Sequence, residues 1–110
     1  MKLPRDVKRG EFMMAKRGNE GPQYELIQAF LIGGLAVHKA NDSDGRWRIS
    51  HIRTGLYIPC ATGRTLPDAV KLARKLNKAV DWKRIRRTKN VAKPRGMTRK
   101  HESTIREICA

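Results

Sequence analysis

The side chains best suited to chemistry lie in two basic stretches. In the first, residues 46–60, polar and apolar residues alternate, as they do in a strand with one buried face. Four polar side chains share the other face: Arg46, Arg48, Ser50 and Tyr57. Arginine can pair with guanine or clamp phosphate, and tyrosine can stack on an unpaired base. We predict that this face binds nucleic acid; the alternative is an ordinary solvated sheet face.

The second basic stretch is the C-terminal end. Residues 81–110 contain ten Lys and Arg and three acids, a net charge of +7 within a total of +15. Its candidate contacts are Lys83, Arg84, Arg86, Arg87 and Lys89. We interpret it as an arm that follows a phosphate backbone, the alternative being a solubilising tail. Trp82 is expected to cap the core, with base stacking or a protein contact as its alternative role.

Catalytic and metal-binding patterns are not found in the sequence. The histidines and cysteines lack zinc-ligand spacing, and no glycine-rich phosphate loop is followed by lysine. His51 lies on the apolar face of a predicted strand, where a hydrogen-bonded structural role is favoured over a general base. The sequence therefore predicts a protein that is not an enzyme and that uses no metal or cofactor.

Alternation and turn residues predict three strands, at residues 31–39, 46–52 and 56–60. A helix follows, with Thr65 as its N-cap and Pro67 in its first turn. The fold class is α+β: a three-stranded antiparallel β-meander packed on one α-helix. The expected core is Trp47, Ile49, Leu56, Ile58, Val70 and Leu76.

The chain divides into three predicted parts. Residues 1–23 are an irregular basic arm, 24–82 the β-β-β-α core domain, and 83–110 a basic C-terminal arm with a short helix as an option at 98–109. The glycine pair Gly33–Gly34 indicates a bulge or a close approach of another backbone within the first strand.

The predicted strand–strand–strand–helix order resembles that of the sheet-reading DNA-binding domains of integrases and AP2-type plant regulators. Double-stranded RNA-binding domains have a similar order, but their lysine-rich entry to the last helix is replaced here by residues 64–68, Arg-Thr-Leu-Pro-Asp. The likeness is one of topology, without a shared motif, and implies no family.

The net charge of the chain indicates the class of its partner. With 25 Lys and Arg against 10 Asp and Glu, the chain favours an anionic partner. We predict a small nucleic-acid-binding regulator or accessory factor, for instance of a mobile element, with DNA favoured over RNA. The alternatives are a protein-interaction module that docks an acidic surface and an RNA- or ribosome-associated protein. The oligomeric state is left open.

The expected location is the cytoplasm. The longest apolar run, residues 29–37, is too short to span a membrane, and no secretory pattern follows the N-terminus. Cys60 and Cys109 are accordingly expected to be reduced thiols, one on a strand and one in the tail.

Overall fold

A computed structural model describes residues 4–18, 21–39, 46–56, 58, 65–85 and 98–109; of residues 16–18 and 21–22 it describes the backbone alone. The chain is α+β. Its elements in order are β1 (Lys8–Gly18), β2 (Gly21–Ile32), β3 (Leu35–Lys39), β4 (Trp47–His51), α1 (Leu66–Ala79), a 3₁₀ turn (Trp82–Arg84) and α2 (Arg99–Cys109). The four strands form one antiparallel sheet in the order β1-β2-β3-β4.

The prediction of three strands is wrong, because the N-terminal segment is not irregular. β1 pairs with β2 along its whole length, from Lys8 opposite Leu31 to Gly18 opposite Gly21. β1 carries few apolar residues, so its own sequence shows no clean strand period. Its conformation follows from pairing with β2, and such tertiary context overrides local propensity in strands.

The predicted first strand is two strands separated by a turn at Gly33–Gly34. Gly33 has φ +57°, a conformation that favours glycine. The Asn77 side chain, on α1, secures the turn: its Nδ2 donates to the Ile32 carbonyl at 2.8 Å, and its Oδ1 accepts from the Gly34 amide at 3.3 Å. The glycine pair therefore makes a tight turn rather than a bulge.

The third predicted strand is replaced by a short extended segment. Beyond a turn at Gly55, the Leu56 carbonyl accepts from His51 and the Ile58 amide donates to Ile49, both at 2.8 Å. The segment thus lies beside β4 as expected, although it is not a strand over the residues that the structure describes. Tyr57 and residues 59–64 lie outside these residues.

Helix α1 is confirmed. Thr65 is its N-cap, with Oγ1 accepting from the Asp68 amide at 3.4 Å, and a proline follows in the first turn. Its buried face packs on β2, β3 and β4 through Ala69, Leu72, Ala73 and Leu76. Of the predicted core residues, Ile49, Ile58 and Leu76 are buried, whereas Trp47, Leu56 and Val70 are only partly buried.

A second, smaller core lies on the opposite face of the sheet. Phe12, Ala29 and Ala36 are buried there. The β1–β2 ribbon extends beyond β3 and curls back across this face, so that the Ala15 amide donates to the Gly55 carbonyl at 2.8 Å. Both faces of β3 and β4 are consequently covered.

The C-terminal arm is not irregular over residues 99–109, since the optional helix is present as α2. Ile105 of α2 is buried, as are Trp82 and Ile85, so this part of the chain belongs to the core. The Trp82 indole N–H donates to the Leu76 carbonyl at 3.2 Å, which confirms its capping role.

Cys109 is disulfide-bonded, against the expectation of a reduced tail thiol. Residues 86–97 lie outside the described part.

Candidate nucleic-acid interface

The predicted binding face of β4 is only partly accessible. Strand parity is as expected: Trp47 and Ile49 face the α1 side of the sheet, and Arg48 lies opposite His38 on the other face. Arg46 is exposed just before the strand, and Arg48 is half-buried. The curled β1–β2 ribbon covers much of this face, which sequence parity alone does not reveal.

The expectation that Ser50 faces solvent is wrong. Its side chain is fully buried, and its hydroxyl lies 2.7 Å from Nε2 of His38, which is 2% exposed. The His38 ring packs on Phe12, with centroids 5.1 Å apart, and its Nδ1 donates to the Lys39 carbonyl at 3.2 Å. Burial lowers the pKa of His38, partly offset by that backbone hydrogen bond. The hydroxyl therefore donates to a neutral imidazole.

This serine–histidine pair has the separation of a nucleophile and its general base. Both groups are, however, buried among the described residues, Ser50 at 0% and His38 at 2% exposure. We therefore assign Ser50 and His38 to the second core, where His38 packs on Phe12.

The His51 side chain joins the end of β4 to the 3₁₀ turn. Its Nε2 donates to the Trp82 carbonyl and its Nδ1 accepts from the Thr54 hydroxyl, both at 2.9 Å. The ring also packs on Trp82, at 5.2 Å between centroids. Burial lowers the pKa of His51, so the neutral ring that fits both partners is favoured. The arrangement agrees with the structural role expected from the sequence.

Two of the predicted C-terminal contact residues lie next to Trp82 and therefore close to His51. Lys83 and Arg84 are exposed in the 3₁₀ turn. Arg84 is 3.3 Å from the Asp81 carboxylate, and the Arg53 guanidinium donates to the Lys83 carbonyl. Tyr57 and the three remaining candidates, Arg86, Arg87 and Lys89, lie outside the described residues.

A groove on the α1 side of the sheet brings together side chains that the sequence analysis did not combine. It has a volume of about 710 Å³ and lies between the β1–β2 ribbon and the end of the β3–β4 hairpin. We call it the aromatic groove; its lining is Arg9, Gly10, Glu11, Gln28, Ala29, Phe30, Lys39 and Trp47. The register explains the grouping, since Arg9 is opposite Phe30 and Lys39 is opposite Trp47.

Two aromatic rings and two cations define the chemistry of the aromatic groove. Phe30 and Trp47 are in contact, with centroids 5.7 Å apart and planes tilted by 38°. Lys39 Nζ lies 5.7 Å from the Trp47 ring centroid, at the outer range of a cation–π contact. Arg9 and Lys39 are exposed, whereas both rings are half-buried against the core. One acid, Glu11, is also present in the lining.

One part of this site, the Lys39–Trp47 pair, could be predicted from the sequence. Lys39 and Trp47 flank the turn-rich residues 40–45, so a hairpin between them predicts that they face each other. The pairing of Arg9 with Phe30 could not be predicted, because the sequence analysis did not assign β1 as a strand. Trp47 was assigned wholly to the core because parity identifies a face and not how far a neighbouring helix covers it.

Other kinds of site are not seen in the described ranges. No cluster of three or more His, Cys, Asp or Glu side chains able to bind a metal ion occurs among the described residues. Among the same residues, no helix has the length and apolar character needed to cross a membrane.

Comparisons with known proteins add no family. Protein-family models, curated proteins and solved structures give no match to the chain.

Proposed function

We propose that this chain is a small, non-enzymatic nucleic-acid-binding protein that binds its target in the aromatic groove. The observation that carries the proposal is the grouping of Lys39 and Arg9 around the Phe30–Trp47 pair. Exposed cations beside half-exposed aromatic rings provide both phosphate and base contacts. A regulatory or accessory role is the biological form that we favour.

Electrostatics support this proposal beyond the groove itself. The net charge of +15 attracts a polyanion from a distance and concentrates it at the surface. Each lysine or arginine that neutralises a phosphate releases counterions, so binding of this kind weakens with salt. The exposed Arg46, Lys83 and Arg84 can supply such contacts, whereas the buried Ser50 is withdrawn from the proposed interface.

Several sequence predictions enter the proposal unchanged. Half-buried Arg48 remains a candidate, as do Tyr57, Arg86, Arg87 and Lys89, which lie outside the described residues. The preference for DNA over RNA is likewise carried over from the sequence analysis.

A second candidate is a protein-interaction module. Met13 and Leu26 face each other across the β1–β2 ribbon and are 40% and 58% exposed. Such an exposed apolar pair, in a chain with a net charge of +15, suits an acidic protein partner that has an apolar centre. This pair lies on the same face as Arg9 and Phe30, so either partner would approach the same side of the ribbon.

The test is a titration of duplex DNA, single-stranded DNA and structured RNA at two salt concentrations, with the parent protein and with Lys39→Gln and Arg9→Gln. Each substitution should weaken binding. Each should also reduce the slope of log K against log salt by roughly 0.7–0.9, because one phosphate contact is lost.

Lys75→Gln is the matched control, since Lys75 is exposed on α1 outside the groove and the change in net charge is the same. Binding that falls equally in all three variants would place the contacts elsewhere. Absence of binding to every polymer, together with capture of an acidic protein that Met13→Ser abolishes, would favour the second candidate.

A further inference from the structure

Resting on the proposed function, we infer that the aromatic groove binds an unpaired strand and takes one of its bases onto the Phe30–Trp47 pair. The substrate class is therefore single-stranded nucleic acid in preference to a duplex. Three features of the groove lead to this conclusion: its aromatic floor, its polar wall and the position of its cations.

The aromatic floor is the first feature. Phe30 and Trp47 present flat surfaces in a concave site, and each remains partly exposed although it also packs on the core. Every base has a π face, so stacking on such rings requires no particular sequence. In a duplex these faces are covered by neighbouring bases, and the protein reaches only the edges in the grooves. Stacking on Phe30 and Trp47 therefore favours a single strand, because its base faces are not covered by neighbouring bases of a duplex.

The polar wall is the second feature. Glu11 and Gln28 are directly opposite each other on β1 and β2, next to the pair formed by Arg9 and Phe30. A glutamine amide donates and accepts hydrogen bonds, and a carboxylate accepts them, so both can pair with exposed base edges. A phosphate placed against Glu11 would be repelled. The wall therefore favours an orientation in which the base, and not the backbone, enters the groove.

The position of the cations is the third feature. Lys39 Nζ lies over the Trp47 ring, 5.7 Å from its centroid and at the outer range of a cation–π contact, and the side chain is exposed. Arg9 is exposed on the opposite side, across from Phe30. Each ring thus has an exposed cation next to it, and these cations can neutralise phosphates of a strand whose base stacks in the groove.

The experiment uses the full chain with short oligothymidylate and with a duplex of matched length. The parent should bind the single strand more tightly, and binding should quench the fluorescence of Trp47. Trp82 is buried and contributes a background that does not respond. Trp47→Leu retains an apolar side chain for the core but removes the flat ring. It should lose roughly 5- to 150-fold in single-strand affinity and little in duplex affinity.

The outcomes separate this inference from the proposed function. If the duplex binds as tightly as the single strand, or if Trp47→Leu weakens both equally, the inference is overturned while nucleic-acid binding stands. If neither polymer binds, or if an acidic protein alone does, both are overturned. Should Trp47→Leu fail to fold, the quenching of the parent protein and the affinity of Phe30→Leu decide the question.

Discussion

At the scale of single residues, Gly55 has the most demanding position. Its φ is +74°, its amide donates to the His51 carbonyl, and its carbonyl accepts from Ala15. A Cβ at this position would lie 2.3 Å from the Met13 carbonyl oxygen and 2.8 Å from the Ala15 amide nitrogen. Backbone atoms cannot move aside as a flexible side chain can. Glycine is therefore needed here both for the turn and for the closure of β1 onto it.

Gly55→Ala should destabilise the fold by more than the roughly 1–2 kcal/mol that a left-handed conformation costs an L-residue, because the backbone contact is lost as well. Chemical denaturation measures this change in free energy of unfolding. Gly10→Ala is the control: its Cβ would meet only the flexible end of the Leu31 side chain. A Gly55→Ala loss no larger than that of Gly10→Ala would show that β1 does not close on the turn.

At the scale of elements, α1 joins the separate parts of the fold. Its apolar stripe covers β2, β3 and β4, Asn77 secures the β2–β3 turn, and its Leu76 carbonyl accepts from Trp82. On its outer side, Arg74 makes a bidentate pair with Asp6 at 2.7 and 3.0 Å. The hydrogen bond from Arg74 holds the pKa of Asp6 below its ordinary value. One helix thus contacts the N-terminal segment, the sheet and the C-terminal turn.

Leu76→Ala should cost roughly 2–5 kcal/mol of unfolding free energy, because Leu76 is fully buried at this junction and its removal leaves a cavity. Thermal and denaturant unfolding measure the loss. Lys78→Ala, two positions along on the exposed face, should change the stability by no more than about 0.5 kcal/mol. Equal midpoints for the two variants would contradict the packing of α1 on the sheet.

Helix α1 was also the element that the sequence predicted best. Its N-cap and its early proline lie within two residues of Thr65, and its apolar period is contained within the helix itself, so all three are local signals. β1 had no such signal, since its pairing depends on β2 and its apolar residues, 12–15, are consecutive and do not alternate with polar ones. The same difference explains the site: the pairing of Lys39 with Trp47 follows from one short hairpin, whereas the position of Arg9 depends on the pairing of β1 with β2, for which β1 has no local signal.

At the scale of the whole molecule, the sheet has an ionisable ring buried on each face. His38 lies in the second core, and His51 packs on Trp82 on the other face. Burial lowers the pKa of both histidines below the ordinary value near 6.5. The neighbouring Arg48 and Arg53 add to the lowering by repelling the charged forms. The folded state therefore holds both rings neutral where the unfolded chain would protonate them.

The stability of the protein should consequently decrease as the pH falls through about 6.5, because the unfolded state then binds more protons than the folded state. Above that range the contribution of the two rings is fully present. Thermal midpoints measured from pH 8 to pH 5 should show the decline, and His38→Gln and His51→Gln should each reduce it. A midpoint that stays constant over this range, or rises toward pH 5, would contradict neutral burial.

The closure of the ribbon also bears on how the chain reaches its fold. Several contacts between elements join residues far apart in sequence: His51 and Trp82 are separated by 31 positions, Gly34 and Asn77 by 43, and Asp6 and Arg74 by 68. The loop entropy of such contacts is lost before their energy is gained, which slows folding. The β1–β2 hairpin is local and can form first, but Phe12 of β1 packs on His38 of β3, so it is buried only when the ribbon lies across the sheet. Until then the growing chain exposes an apolar strand surface, and a long strand with an open edge is a known starting point for aggregation.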